Sequence, residues 1–218
     1  NNDRTEVFLQ LASGESVILK TFANQDVSAP EYGYWTPVVQ NDVKKTSPVT
    51  YSFTGKWGFR FVEASPAVAA TPDSVSLGSW TEIPAEGAKN VMGAACYTTT
   101  FTLKSPADVE EWMLDLGDVR ESARVRINGQ AVATLIAVSY RCLVGKYLSP
   151  GVNTLEVEVT NLPANRIADM DRRDVPWRIY KDANIVNIHY KKDNYGKWEP
   201  VPSGLLGPVH LIPMQTLK

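Results

Sequence analysis

The chain has 218 residues, 44% of them hydrophobic and 21% charged, with 22 Lys and Arg against 24 Asp and Glu. That composition suits a packed core without staples and excludes a disordered chain. A formal net charge of −2 lacks the positive footprint of a nucleic-acid binder, and no apolar run approaches the roughly 18 residues that cross a bilayer, so neither nucleic acid nor membrane is an expected partner.

At about 150 residues per domain, one large or two small domains fit the length. The chain opens at Asn1-Asn2-Asp3 with no initiator Met, basic n-region or apolar h-region, which predicts a processed chain or a piece of a longer one. A short apolar run, Ser16–Phe22 with Val17-Ile18-Leu19 inside it, comes just after Gly14. Residues 24–48 hold Tyr32, Tyr34 and Trp35 among prolines with little alternation, which reads as a linker packed on a neighbour. Trp57, Phe59 and Phe61 then recur at period two, and residues 97–103 are rich in Thr and aromatics, as a pleated surface prefers. Trp112, Leu114 and Leu116 alternate against Glu111, Met113 and Asp115.

The sharpest local signal follows. Residues 122–127 alternate, Asn128-Gly129 intervenes, and residues 130–135 continue, which predicts a hairpin on a type I′ turn. A two-residue loop puts Ile127 opposite Gln130 and Val125 opposite Val132, with Arg124 and Arg126 on the other face. After the Pro150-Gly151 turn, Leu155, Val157 and Val159 point to a core while Glu156 and Glu158 point to water. A last short strand is expected at Val209–Ile212, with His210 outward or on a polar partner. Many short strands between turns, and no long run at helical spacing, predict an all-β antiparallel sandwich.

Residues 161–202 are too long for an ordinary connection, since structureless loops beyond about 15 residues are usually functional or disordered. The aromatics Trp177, Tyr180, Tyr190, Tyr195 and Trp198 argue against disorder, and residues 184–190 suggest a further strand. Function is therefore sought in this segment.

Several chemistries are missing. There is no G-x-S-x-G or H-E-x-x-H motif, and the two histidines, His189 and His210, have no nucleophile beside them in sequence. A Ser or Cys hydrolase is set aside. Cys96 and Cys142 lie among alternating apolar residues, where small buried side chains are the simpler reading and a disulfide the alternative. Asp169, Asp171 and Asp174 form the densest acidic cluster, but an EF-hand register would put Arg173 and Asp174 where an oxygen ligand and Gly belong. A solvated or self-paired charged loop is the expected reading. No cofactor is expected, and a structural calcium held partly by backbone carbonyls stays an alternative.

Glycoside hydrolysis needs two carboxylates about 5–10 Å apart, and Asp169, Asp171, Asp174 and Glu199 are the candidates in this loop. Carbohydrate binding has the better warrant, because sugars offer C–H faces to rings and hydroxyls to forked polar groups. Trp177, Tyr180, Tyr195 and Trp198 would be the platforms, with Arg166, Asp169 and Glu199 as polar partners. Trp57, Trp80 and Trp112 read as core.

A family resemblance rests on longer stretches. Leu114-Asp115-Leu116-Gly117-Asp118-Val119, Ala123–Gly129, Leu148–Leu155, Val157–Asn161 and the closing Ser203–Leu211 together resemble the sugar-binding β-sandwich of glycoside hydrolase family 2, a galactose-binding-like jelly roll. Leu11–Phe22 and Asn161–Ile167 are similar to the C-terminal region of bacterial α-L-rhamnosidase-type enzymes of glycoside hydrolase family 106. The resemblance covers most of residues 5–213. It departs at Ala94-Ala95-Cys96, where relatives show a Gly-Thr-Ala-like strand start, and in residues 169–199, from which no ligand residue carries over.

The resemblance implies a galactose-binding-like sandwich over residues 49–218, preceded by the tail of another β-domain and a linker over residues 1–48. It implies a non-catalytic carbohydrate-binding or ancillary domain of a larger periplasmic or extracellular glycoside hydrolase acting on plant or host polysaccharide. The catalytic carboxylates would lie on a separate barrel, and the partners would be carbohydrate and that catalytic domain. The alternatives are a purely structural domain bracing the barrel, and a self-sufficient glycosidase using a carboxylate pair.

Overall fold

The computed structural model describes residues 7, 9–11, 13–22, 25, 34–42, 45–48, 50–103, 109–178 and 193–216. Its strands are β1 (Trp35–Pro37), β2 (Val39–Asp42), β3 (Lys45–Pro48), β4 (Tyr51–Ser52), β5 (Trp57–Ser65), β6 (Ser74–Val75), β7 (Met92–Leu103), β8 (Glu111–Asp115), β9 (Asp118–Arg120), β10 (Ser122–Ile127), β11 (Gln130–Leu135), β12 (Arg141–Leu143), β13 (Gly151–Thr160), β14 (Gly204–Gly207) and β15 (His210–Thr216). Among the described residues there is one α-helix, α1 (Ala164–Arg172), which follows β13.

Among the described residues every strand pairing is antiparallel. One sheet runs β11-β10-β13-β7-β5-β6; the other runs β1-β15-β8-β12, with β4 also on β15. Period-two alternation gives each sheet one apolar face, and the two faces meet. The larger sheet contributes Trp57, Phe59, Tyr97, Phe101, Val125, Ile127, Leu155, Val157 and Val159, and the smaller contributes Leu114 and Leu211. Val119 and Leu205, from the β9–β14 pair, join the same core. Burying each such large side chain contributes about 1.5–3 kcal/mol. The all-β sandwich is thus the architecture that the alternation predicts.

Local expectations hold with three differences. Asn128 and Gly129 both take positive φ, 52° and 78°, as the type I′ turn requires. Ile127 faces Gln130, but Val125 faces Ala133 rather than Val132, because a bulge between Val125 and Arg126 shifts the register. The N-terminal β structure lies at residues 35–37, 39–42 and 45–48, inside the stretch that reads as linker, while residues 15–22 form no strand. Ile18 there is 97% exposed. The third difference is α1, in a segment where no helix is expected.

His210 meets a polar partner, with its Nδ1 3.1 Å from Ser52 Oγ. Cys96 lies on β7 and Cys142 on β12, in different sheets, and both thiols are free. Burial pushes the Cys142 thiol up to about 12, so it stays protonated.

Candidate functional site

Asn161 is where the sandwich hands over to the segment of interest. It ends the β13 run buried, accepts a 3.0 Å bond from the Gly93 N–H, and donates to Val91 O and Ser203 Oγ. One turn on, Asn165 accepts from the Val201 N–H at 2.7 Å and donates to Val201 O at 2.8 Å. The two amides clasp residues 201–203 against the sandwich. Each amide supplies partners to backbone groups outside the strand ladders, and an apolar residue at Asn161 would leave the buried Val91 carbonyl unpaired.

Helix α1 grows from this clasp and buries Asn165, Ala168 and Asp169, a face at i, i+3 and i+4 spacing that is mostly polar. Arg166 and Arg173 both donate to Asp169 Oδ2, at 2.9 and 2.8 Å, so Asp169 is neutralised from either side along the helix. Arg172 ties the outer side of the helix to Asn90 Oδ1 and Gly196 O.

The last turn carries Asp171, with a side chain only 6% exposed. Its Oδ1 accepts the Trp177 indole N–H at 2.7 Å, and its Oδ2 accepts the Tyr195 backbone N–H at 2.8 Å. Arg178 reaches both carboxylate oxygens at 3.2 Å and donates to Asp193 O at 2.7 Å. Burial pushes this carboxyl up. The Tyr195 N–H, the Trp177 indole and the Arg178 guanidinium outweigh it and hold Asp171 below the usual carboxylate range.

Around that anion the aromatics stack in series. The Arg178 guanidinium lies 4.4 Å from the Trp177 ring centroid and 5.3 Å from that of Tyr195. Trp177 and Tyr195 are 6.3 Å apart, and Tyr195 and Trp198 only 4.5 Å with a 34° tilt. Trp177 and Tyr195 are half-buried and engaged, whereas Trp198, at the end of the stack, is 48% exposed. Glu199 beside it is exposed.

The structure therefore brings Trp177, Tyr195 and Trp198 together. It turns Arg166 and Asp169 toward each other on α1, and leaves Glu199 in solvent next to Trp198. Tyr180, His189, Tyr190 and the strand expected at 184–190 lie outside the described residues. Asp171 and Arg178, the pair that organises the stack, are the residues sequence reasoning gave no binding role. In sequence they carry only the order Asp171, Trp177, Arg178, an acid near an indole and a guanidinium, which by itself does not set their contacts.

Of the acidic candidates, Asp169 and Asp171 are each committed to guanidinium groups, and Asp174 and Glu199 are exposed. Among the described residues no three His, Cys, Asp or Glu side chains converge as metal ligands.

Residues 89–203 match the family model for the glycosyl hydrolase 2 galactose-binding domain-like fold. A protein of Formosa agariphila that carries a provisional β-glucuronidase name is 32% identical over 191 residues, which cover 77% of this chain and 16% of that protein. The rhamnosidase structure from Novosphingobium sp. PP1Y superposes with a TM-score of 0.56 at 26% identity, over 87% of this chain and 16% of that one. The β-D-glucuronidase of Dictyoglomus thermophilum, at 16% identity and a TM-score of 0.51 over 77% of this chain and 28% of that one, shares the fold. The chain thus spans about a sixth of the length of the first two, as one part of a much larger protein in each. With the antiparallel sandwich and a match over more than half its length, the chain belongs to the glycosyl hydrolase 2 galactose-binding domain-like family.

Proposed function

We propose that this chain is a non-catalytic ancillary domain of a larger periplasmic or secreted glycoside hydrolase, and that its α1 end contacts carbohydrate through Trp198. The observation that carries the reading is the exposed indole at the end of a stack whose inner members are fixed. Trp198 rests on Tyr195, which is held through its backbone by Asp171, so the platform is ordered before any ligand arrives. Exposed Glu199 stands beside it to accept sugar hydroxyls. Rhamnose-containing and uronate-containing plant or host polysaccharides are the first glycans to test, given the rhamnosidase and glucuronidase names of the relatives.

The charges disfavour Asp171 as the acid of a glycosidase pair. A glycosidase acid needs a raised pKa, and Asp171 is moved the other way. A bracing role is supported by a different observation: Val17, Ile18, Leu19 and Phe22 are all at least 45% exposed, an apolar run that suits cover by a neighbouring domain.

The test is an NMR titration of the chain with rhamnose-containing oligosaccharides and common plant glycans, following protein amides, indole N–H signals and anomeric sugar signals together. Saturable shifts at Trp198 and Glu199, lost in Trp198→Ala with the glycan intact, are the expected result. New reducing-end signals would overturn the non-catalytic reading, and no shifts would leave bracing as the role.

A further inference from the structure

The outer face of the larger sheet has a feature that the Trp198 reading does not use. On β7 the residues facing away from the core are small: Ala94, Cys96 and Thr98, with Cys96 Sγ and Thr98 Oγ1 3.8 Å apart on the same side. The strands on either side carry long charged groups. Strand register lines up Arg60, Cys96, Glu158 and Arg124 in one row, and Gly58, Thr98, Glu156 and Arg126 in the next. A small floor between tall walls leaves a hollow of about 240 Å³ lined by Arg60, Cys96, Arg124, Arg126, Glu156 and Glu158.

Directly opposed unlike charges on neighbouring strands ordinarily pair. Arg124 does so, donating to Glu158 at 2.8 Å. Arg126 stands opposite Glu156 in the register, yet neither it nor Arg60 is in an ion pair among the described residues. Across from Arg60 stands Cys96, which offers no anion. The hollow thus holds three guanidiniums against two carboxylates, with two of the guanidinium forks unfilled.

We propose that this trough on β7 binds a sugar carrying an oxyanion, either a carboxylate or a sulfate, through Arg60 and Arg126. Each unfilled fork presents N–H groups in the geometry that matches a carboxylate or sulfate oxygen pair. Glu156 supplies an acceptor for ring hydroxyls, and Arg124, fixed by Glu158, supplies further donors. The volume suits a single hexose ring, and among the described residues no aromatic lines the hollow, so recognition is by charge and hydrogen bonding. The site shares no residue with the Trp198 stack, so either can fail without the other.

The test is a heteronuclear NMR titration of the full chain with galacturonate, glucuronate, galactose 6-sulfate, galactose and inorganic sulfate, each at low salt. The expected result is saturable shifts of β5, β7, β10 and β13 amides with the uronates or the sulfated sugar. Affinity should fall about tenfold in both Arg60→Gln and Arg126→Gln, the loss of one charge-assisted contact, and stay unchanged in Trp198→Ala. Response to the uronates alone assigns a carboxylate; response to galactose 6-sulfate alone assigns a sulfate. Equal shifts from neutral galactose, equal shifts from inorganic sulfate, or binding that survives both arginine substitutions would each overturn the proposal. So would the absence of shifts on this face. Both arginines are exposed, so the variants are expected to fold, and their amide spectra check it.

Discussion

In the sandwich interior, Phe53 meets Phe101 edge-on at 5.1 Å, Phe59 meets Tyr97 at 5.2 Å and Phe61 meets Trp80 at 5.5 Å. At the α1 end, Trp177, Tyr195 and Trp198 are as closely associated, but around a buried carboxylate and a guanidinium. The first cluster is held by removal of apolar surface from water, which depends little on pH. The second is held by charge and directed hydrogen bonds, with one of its rings in solvent. The interior cluster makes the fold; the end cluster positions a surface.

Truncation at the interior should have the largest effect. Trp80 is completely buried on a 3-10 turn whose Ser79 side chain caps the Thr81 N–H, and its ring lies against Phe61 and Gly204. Trp80→Ala is expected to cost about 3–5 kcal/mol, measured as a lowered urea midpoint with unchanged slope. A loss below about 1 kcal/mol would mean that the interior can collapse around the void, and the contrast with the end cluster would weaken.

The joint between the regions comes next. Asn161 satisfies the Gly93 N–H and the Val91 carbonyl and reaches Ser203. Asn161→Ala strands these groups at roughly 1–3 kcal/mol each, so a loss of at least about 2 kcal/mol is expected in the same unfolding assay. Tryptophan fluorescence should also report loosening at the α1 end before global unfolding. If the end cluster stays ordered in that variant, Asn165 alone suffices as the clasp.

These two sites also mark how far the sequence could be read. The strands were legible because alternation in residues 57–61, 122–135 and 155–159 reports one buried face directly, and Asn128-Gly129 announces its turn. Helix α1 was not legible, because its buried face is Asn165, Ala168 and Asp169. A search for apolar periodicity passes over a helix whose inward side is held by amides and ion pairs. The aromatics of the end segment stood out by composition. What orders them is a set of contacts with Asp171, some across more than twenty residues, and spacing does not encode it. The register shift at Val125/Arg126 is likewise not announced by the hairpin motif.

A pH titration separates the two clusters more sharply. The folded-state pKa of Asp171 lies below its ordinary 3.8. A depressed carboxyl stabilises the fold above its unfolded pKa and loses that contribution as pH falls through the lower folded value. The end cluster should therefore hold at neutral pH and loosen below about pH 4. The readout is a change in tryptophan emission while the far-ultraviolet β signal persists. Asp171→Asn should remove this acid step and show the loosened emission already at pH 7. A step that survives in Asp171→Asn would assign it to another carboxylate.

The smallest stability effect is expected where the functional effect should be largest. Trp198 stacks on Tyr195 and is 48% exposed, so Trp198→Ala removes far less buried area than Trp80→Ala. The expected change in unfolding free energy is about 1 kcal/mol or less, the smallest of the series. The acid step at Asp171 should be unaltered, because the indole of Trp198 is not among that carboxylate's partners. Glycan contact at the α1 end should nevertheless vanish. A residue held at the rim only to stabilise its own loop would show the reverse, a measurable loss of stability with binding intact. Comparing urea midpoints and glycan-induced shifts for this one variant therefore decides whether the stack ends in a platform or in an anchor.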